Sequence, residues 1–116
     1  MPARFTSPPS RADYHIQVWE IVRCIPPGRV MTYGQIAALI PCPQNMSPQG
    51  YKAFGPRWVG GAMAACPADV PWWRVVNSQG KISLRGGAEQ QREKLLQEGV
   101  KFNSSDRIDL QTFQQK

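Results

Sequence analysis

The stretch Pro71-Trp72-Trp73-Arg74-Val75-Val76 decides how this chain is interpreted. Its apolar and β-branched residues alone predict a short buried strand. Turn-forming residues follow from Asn77 to Gly80, and a second short segment of alternating character runs from Lys81 to Leu84. Two such segments around a tight turn predict a small hairpin or wing. This hairpin is the only sheet that the sequence predicts.

Helices are predicted on both sides of the hairpin. Thr32 and Gln35 match a capping box at the start of a short helix, which Pro41 ends. Residues 88–98 have helical spacing and predict a last helix. Asp13 is the predicted N-cap of a first helix, whose apolar residues recur at near-helical spacing: Val18, Trp19, Ile21, Val22 and Ile25.

The middle of the chain predicts a helix-turn-helix with a stretched turn. Residues 41–55 are rich in Pro, Gln, Ser and Gly and predict a long loop. Pro56 suits the first position of the next helix, because its missing N–H costs nothing there. The predicted fold is therefore mainly α with a small β hairpin, a winged helix-turn-helix-like domain over residues 13–102. Residues 1–12 are expected to be a disordered lead, and residues 103–116 a polar C-terminal tail of similar character.

Size and composition restrict the classes of function. A chain of 116 residues suits one domain, and 14 Lys plus Arg against 8 Asp plus Glu give a net charge of +6. A basic balance favours nucleic acid as a partner, although solubility alone would also explain it. The 3 cysteines form no Cys-x-x-Cys pair, and there is 1 histidine, so we expect neither a metal nor a cofactor. We expect an intracellular protein without a membrane anchor, since the chain has no long apolar run and no signal-peptide pattern.

Three further blocks surround the tryptophan pair. They are Gly-Arg-Val-Met-Thr-Tyr-Gly-Gln-Ile-Ala at 28–37, Pro-Arg-Trp-Val-Gly-Gly-Ala-Met at 56–63 and Leu-Leu-Gln-Glu-Gly at 95–99. In this order and spacing, residues 14–102 resemble the C-terminal domain of the O6-alkylguanine-DNA alkyltransferases (methylated-DNA-protein cysteine methyltransferases). That family carries Pro-Cys-His-Arg-Val where this chain has Pro-Trp-Trp-Arg-Val. The chain resembles the alkyltransferase-like subfamily, in which tryptophan replaces the cysteine.

The resemblance implies that the chemistry of alkyl transfer has been lost. Trp72 holds the position of the nucleophilic cysteine and Trp73 that of the histidine base. Alkyl transfer needs a thiolate and a base that generates it, whereas indole offers one N–H donor and does not titrate near neutral pH. Glu98 holds the position of the carboxylate that orients the histidine, and a structural role is expected for it. Cys66 falls near the pocket of the family, which leaves open an alkyltransferase that uses a non-standard cysteine.

The resemblance also implies the residues that bind DNA and flip a base. Tyr33 corresponds to the tyrosine that helps rotate the phosphate on the 3′ side of the target, and Arg57 to the arginine that enters the base stack. Gly60 permits close approach of its helix to the minor groove, and Trp58 packs in the core or at the edge of the groove. Taken alone, Tyr33 equally suits a core and Arg57 a solvated surface.

The pocket for the flipped base is implied by the same alignment of motifs. Pro71 and Trp72 line it, and backbone groups near them and near Ser83 face the edge of the guanine. Arg85 contributes a cation near the base, since a guanidinium stacks on aromatic faces. A core position for the Trp72 ring is the alternative.

The function implied is that of a non-enzymatic DNA damage sensor. Such a protein binds O6-alkylguanine in double-stranded DNA by base flipping and marks it for nucleotide-excision repair. Its expected partners are the damaged duplex and nucleotide-excision repair proteins, its expected state is a monomer, and its compartment is the nucleus of a eukaryote or the cytoplasm and nucleoid of a bacterium. The alternatives are a helix-turn-helix DNA-binding protein without lesion preference and an alkyltransferase that uses a non-standard cysteine.

Overall fold

Helices account for most of the fold. The computed structural model describes residues 10–43, 46–83 and 86–116, and over these residues it contains a small sheet between helical layers. The elements follow in the order α1 (Arg11–Arg23), β1 (Met31–Thr32), α2 (Tyr33–Leu39), α3 (Pro48–Ala64), a 3-10 turn (Trp72–Arg74), β2 (Val75–Val76), α4 (Ala88–Gln97) and α5 (Leu110–Phe113). The expectation of a mainly helical domain with a small sheet is confirmed. None of the helices in the described part of the chain combines the length and hydropathy that a membrane crossing requires.

Two buried tyrosines join the first three helices. The hydroxyl groups of Tyr14 on α1 and Tyr51 on α3 lie 3.0 Å apart, and the Tyr51 hydroxyl donates to the carbonyl of Ala37 on α2 at 2.6 Å. Both rings are buried, so the hydroxyl groups need these partners inside the core. The surrounding apolar side chains form the first core cluster, which includes Val18, Ile21, Val22, Ile25, Met31, Ile36, Ile40, Val59, Ala62, Val70 and Val75.

The predicted hairpin is wrong, because β2 pairs with a different partner. Met31 lies opposite Val75 and Thr32 opposite Val76 in a parallel pair. After β2, the side-chain oxygen of Asn77 accepts hydrogen bonds from the backbone N–H groups of residues 79 and 81, which closes a tight loop. Residues 81–83 form no strand, and Leu84 lies outside the described residues. Both strands are buried, so they pair inside the domain rather than in an exposed wing.

The helix-turn-helix has a shorter turn than predicted. Ser47 accepts from the backbone N–H of Gly50 at 3.0 Å and caps α3, so α3 takes in most of the predicted 41–55 loop. Pro56 lies inside α3 rather than at its first position, which Pro48 occupies. Gly55 allows the close contact with α2, since a Cβ at this position would lie 3.1 Å from the Cβ of Ala37.

The start of α1 also differs from the prediction. Ser10, not Asp13, is the N-cap, and its hydroxyl oxygen accepts from the backbone N–H of Asp13 at 3.2 Å. The Asp13 carboxylate in turn accepts from the Ser10 hydroxyl at 2.7 Å. An acidic residue in the first turn favours the positive end of the helix dipole. α1 therefore begins inside the segment that we expected to be a disordered lead.

Residues 103–116 are packed rather than disordered. Ile108 is buried in a second core cluster, together with Val30, Val76, Leu95 and Val100. The backbone N–H of Val30 donates to the carbonyl of residue 113 at 2.9 Å, and the N–H of residue 115 donates to the Val30 carbonyl at 2.8 Å. Asp109 caps α5 by accepting from the N–H of residue 111. The packed unit therefore extends beyond the predicted boundary at residue 102.

Candidate nucleic-acid interface

The tryptophan pair lies on a short 3-10 turn that packs against α4. Pro71 is buried before it, and its carbonyl accepts from the N–H of Arg74 at 3.1 Å. The rings of Trp72 and Trp73 meet edge to face, with centroids 6.0 Å apart and an interplanar angle of 86°. Both rings are half-buried. The turn thus leaves part of each indole accessible at the surface of the domain.

The carboxylate of Glu98 fixes the second tryptophan and the turn behind it. The indole N–H of Trp73 donates to Glu98 Oε2 at 3.0 Å. The guanidinium of Arg74 donates to both carboxylate oxygens, with Nε to Oε1 at 3.0 Å and Nη2 to Oε2 at 2.5 Å. The backbone N–H of Gly28 completes the set at 3.3 Å. This carboxylate therefore holds the indole where the resemblance places a histidine.

The same contacts set the ionisation of Glu98. Burial raises its pKa, but the hydrogen bonds from Arg74, Trp73 and the Gly28 N–H outweigh burial, so the pKa lies below its ordinary value. The carboxylate is an acceptor for all of these donors at neutral pH. Because the indole of Trp73 carries no titrating proton, this arrangement positions a ring but supplies no base for a nucleophile.

Gln91 is a buried residue of this site that the sequence analysis missed. Its amide nitrogen donates to the carbonyl of Trp73 at 3.1 Å and to that of Val75 at 2.9 Å, while its buried side-chain oxygen has no hydrogen-bond partner among the described residues. Gln91 lies four residues before the buried Leu95, on the inward face of α4. A polar residue at an inward helical position was the available signal, since such side chains usually satisfy buried backbone groups.

Tyr33 and Ser83 are two predicted site residues that the structure brings together. The Ser83 hydroxyl donates to the Tyr33 hydroxyl at 3.2 Å. Tyr33 is the first residue of α2, which begins at the predicted capping box. Gln35 N–H donates to the Thr32 hydroxyl at 3.0 Å, and the Gln35 side chain accepts from the Thr32 N–H at 3.3 Å. The start of α2 and the loop after β2 therefore meet at one surface.

Arg57 and Gly60 lie on the exposed side of α3. Arg57 is exposed in the middle of the helix rather than at its start, because α3 begins earlier than predicted. Its guanidinium carbon lies 6.0 Å from the centre of the Phe54 ring. No atom of the described residues would lie within 4 Å of a Cβ at Gly60, so none of their contacts requires glycine there.

Trp58 faces the core rather than the exposed side. Its ring packs edge to face on Tyr14 at 5.5 Å and lies 6.3 Å from the ring of Tyr51. The alternative of a packing role for Trp58 is therefore the one that these contacts support. The ring therefore packs α3 against α1.

Arg85 lies outside the described residues. Cys66 is half-buried at the end of α3, where burial raises the pKa of its thiol, so the thiol stays protonated at neutral pH. Within residues 10–43, 46–83 and 86–116, no three His, Cys, Asp or Glu side chains are grouped as metal ligands would be.

Comparison with known proteins identifies relatives of the chain by sequence. Residues 13–100 match the family model of the 6-O-methylguanine DNA methyltransferase, DNA binding domain. A DNA base-flipping protein of Escherichia coli K12 is 42% identical over 100 residues, which cover 84% of this chain and 70% of the relative. Alkyltransferase-like protein 1 of Schizosaccharomyces pombe is 36% identical over 95 residues, covering 78% of this chain and 79% of the relative.

Solved structures agree with these relatives. S. pombe Atl1 in complex with damaged DNA containing O6-carboxymethylguanine matches with a TM-score of 0.71 and 32% identity over 90% of this chain and 96% of that one. Mycobacterium tuberculosis OGT in complex with DNA matches with a TM-score of 0.60 and 31% identity over 75% of this chain and 49% of that one. The chain belongs to the family defined by the DNA-binding domain of 6-O-methylguanine DNA methyltransferase.

Proposed function

We propose that this protein is a non-enzymatic sensor of DNA alkylation damage. It binds O6-alkylguanine in duplex DNA, flips the base out of the helix and transfers no alkyl group. The observation that carries the proposal is the indole of Trp73, held by Glu98 at the site where alkyl transfer needs a base. Relatives named for base flipping and a related structure with an alkylated guanine support the same function.

Binding requires the base to leave the stack, which costs a few kcal/mol. Arg57 is exposed and has a planar guanidinium, which stacks on bases and donates to the partner base left behind. Gly60 lets α3 approach the minor groove closely. Tyr33, at the first turn of α2, binds the phosphate next to the flipped nucleotide. These residues make the opening of the duplex favourable.

The flipped base enters a pocket beside the tryptophan pair. Pro71 and Trp72 form its wall, and Ser83 lies at its edge next to Tyr33. For Arg85, which lies outside the described residues, we propose the role of a cation that stacks on the base. Gln91 holds the wall by binding the carbonyls on either side of Arg74.

Alkyl transfer is excluded from the proposal on chemical grounds. Indole is not a nucleophile toward an alkyl group, and Trp73 cannot deprotonate a neighbouring thiol. Cys66 is the thiol closest in sequence to the pocket, and its raised pKa makes it a poor nucleophile. The protein therefore holds the lesion and leaves its removal to others. We include in the proposal that a monomer, inside the cell, presents the bound site to nucleotide-excision repair proteins.

Competition anisotropy tests the proposal. Two duplexes that differ only in O6-methylguanine or guanine compete for the protein at one fixed salt concentration, because phosphate contacts make all DNA affinities depend on salt. We expect a clear preference for the lesion and an unchanged protein mass after incubation with it. Equal affinity would instead indicate a helix-turn-helix protein without lesion preference. A mass increase of one methyl group would indicate an alkyltransferase.

A further inference from the structure

Phe54 is an exposed aromatic residue that neither core cluster accounts for. Its side chain is 48% exposed on α3, and it does not pack against either cluster of the described residues. It lies one helical turn before Arg57, whose guanidinium carbon is 6.0 Å from the centre of the Phe54 ring, within reach of a cation–π interaction. A large apolar ring in this position needs a partner outside the domain to leave water.

Apart from Arg57, the residues around Phe54 on this side of α3 have small side chains. Helical spacing places Phe54 and Arg57 on one side of α3 with small residues, which are Ala53, Gly60, Gly61 and Ala64. These carry a methyl group or no side chain, so the backbone of α3 can approach a partner closely on this side. Phe54 and Arg57 project from this surface as a pair. This surface would fit a narrow groove, with the flat Phe54 ring and the flat Arg57 guanidinium inserted into it.

We infer that Phe54 is a second wedge, which enters the minor groove beside Arg57 and stacks on the base pair next to the flipped nucleotide. This inference rests on the proposed function. When a base leaves the stack, the face of its neighbour becomes exposed, and Arg57 alone fills only the vacated position. An apolar side chain inserted from the minor groove covers such a face, and aromatic rings stack on any base. In the free protein, the Phe54 ring lies under the Arg57 guanidinium, so the two groups are already side by side.

Three variants test the wedge in the competition assay. Phe54→Ala should weaken binding to the O6-methylguanine duplex about tenfold, as removal of a base-stacking aromatic ring does. It should weaken binding to the undamaged duplex less, because there is no exposed base face to cover. Phe54→Trp keeps a flat ring and should retain lesion affinity. Leu96→Ala is the matched control, since Leu96 is 49% exposed on α4, and it should bind both duplexes as the original chain does.

A double mutant separates direct stacking from an effect through Arg57. Phe54→Ala combined with Arg57→Ala should bind the lesion more weakly than Arg57→Ala alone. If the double mutant equals Arg57→Ala, Phe54 acts only by holding the arginine, and the wedge is refuted. Circular dichroism melting should show that all variants stay folded.

The outcomes distinguish a failure of the wedge from a failure of the proposed function. If the original chain prefers the lesion and Phe54→Ala binds it equally well, the wedge alone is refuted and the proposed function stands. If the original chain shows no lesion preference, the proposed function fails and the wedge fails with it. A 2-aminopurine base beside the lesion gives an independent signal. Its fluorescence should rise in the complex with Phe54→Ala relative to the original complex, because the uncovered base is no longer stacked; equal fluorescence in the two complexes would count against the wedge.

Discussion

At the residue scale, the Glu98 carboxylate holds the tryptophan turn in place through Trp73 and Arg74. An N–H donor at position 73 is all that the carboxylate needs in order to hold the adjacent turn, and the indole of Trp73 supplies one at 3.0 Å. A histidine at this position would offer a second nitrogen that accepts a proton, whereas an indole offers none. Under the proposed function, an indole at position 73 therefore keeps the hydrogen bond to Glu98 and supplies no base.

The hydrogen bond between Glu98 and the ring at position 73 predicts which substitutions restore alkyl transfer. Trp72→Cys alone should give no transfer, because Trp73 cannot generate the thiolate. Trp72→Cys combined with Trp73→His should give measurable transfer, since Glu98 is already placed to orient the imidazole. Intact-mass measurement after incubation with O6-methylguanine DNA detects the added methyl group. Trp73→His alone is the control and should gain no mass. Robust transfer by Trp72→Cys alone would refute the role assigned to position 73.

Single residues of the site differ in how far the sequence predicts them. The order of the motif blocks is distinctive, and these blocks contain Trp72, Trp73 and Glu98. The sequence therefore predicted that the three residues belong to one site. Gln91 and Phe54 were missed because each looks ordinary alone: a glutamine in a charged helix, and a phenylalanine in a segment that reads as loop. Only the packing shows that one is buried and the other exposed.

At the element scale, the two faces of α3 differ in how closely they are packed. The inward face is in close contact with α2, whereas the outward face has space around its glycine that no described residue occupies. Gly55 faces α2, where a Cβ would come within 3.1 Å of Ala37. Gly60 faces outward, where a Cβ would come within 4 Å of no atom in residues 10–43, 46–83 and 86–116. A helix glycine that the protein itself does not require costs about 1 kcal/mol relative to alanine. We attribute this cost to the need for a smooth surface against DNA.

Gly60→Ala should therefore separate stability from binding. The variant should be more stable by about 1 kcal/mol, because alanine restricts the unfolded chain and clashes with nothing. It should also bind O6-methylguanine DNA more weakly, since the added methyl group holds α3 away from the groove. Urea denaturation and anisotropy measure the two effects, and Gln97→Ala on the exposed side of α4 is the control for both. Greater stability with unchanged DNA affinity would place the interface elsewhere.

Elements whose signals are local were predicted, and those that depend on distant contacts were not. The capping box of Thr32 and Gln35 needs only neighbouring residues, and it is present. The start of α3 at Ser47 was missed because Gly50 and Gly55 discourage a helix unless α2 packs on it. The partner of β2 was missed because Met31 is distant in sequence, and a parallel pairing leaves no turn signal. Ile108 was missed because most residues of its segment, 103–116, are polar.

At the scale of the whole molecule, one ion pair connects the two core clusters. Arg74 and Glu98 have side chains only 12% and 15% exposed. Arg74 also donates to the carbonyl of Ile25 in the first cluster at 2.8 Å, while Glu98 accepts from the N–H of Gly28. Glu98 itself lies between Leu95 and Val100 of the second cluster. The position of the tryptophan turn relative to the helices that carry Tyr33 and Arg57 therefore depends on this pair.

The lowered pKa of Glu98 predicts how the stability of the whole domain changes with pH. In the unfolded chain the group titrates near its ordinary value of about 4.3, and in the folded protein its pKa is lower. The unfolded state then binds the proton first as pH falls, so the contribution of Glu98 is complete above about pH 5 and is lost as pH falls through the lowered pKa.

Glu98→Gln removes this titration and leaves the Arg74 guanidinium without its counter-ion, at a cost of about 3 kcal/mol at neutral pH. Urea denaturation at a series of pH values should show a gap between the two proteins that narrows below about pH 4. Asp106→Asn, in the exposed pair with Arg92, should change the free energy of unfolding by less than about 1 kcal/mol. If the difference in free energy of unfolding between Glu98→Gln and the original chain stays constant with pH, the Glu98 side chain stabilises the contact between the two clusters by its shape and not by its charge.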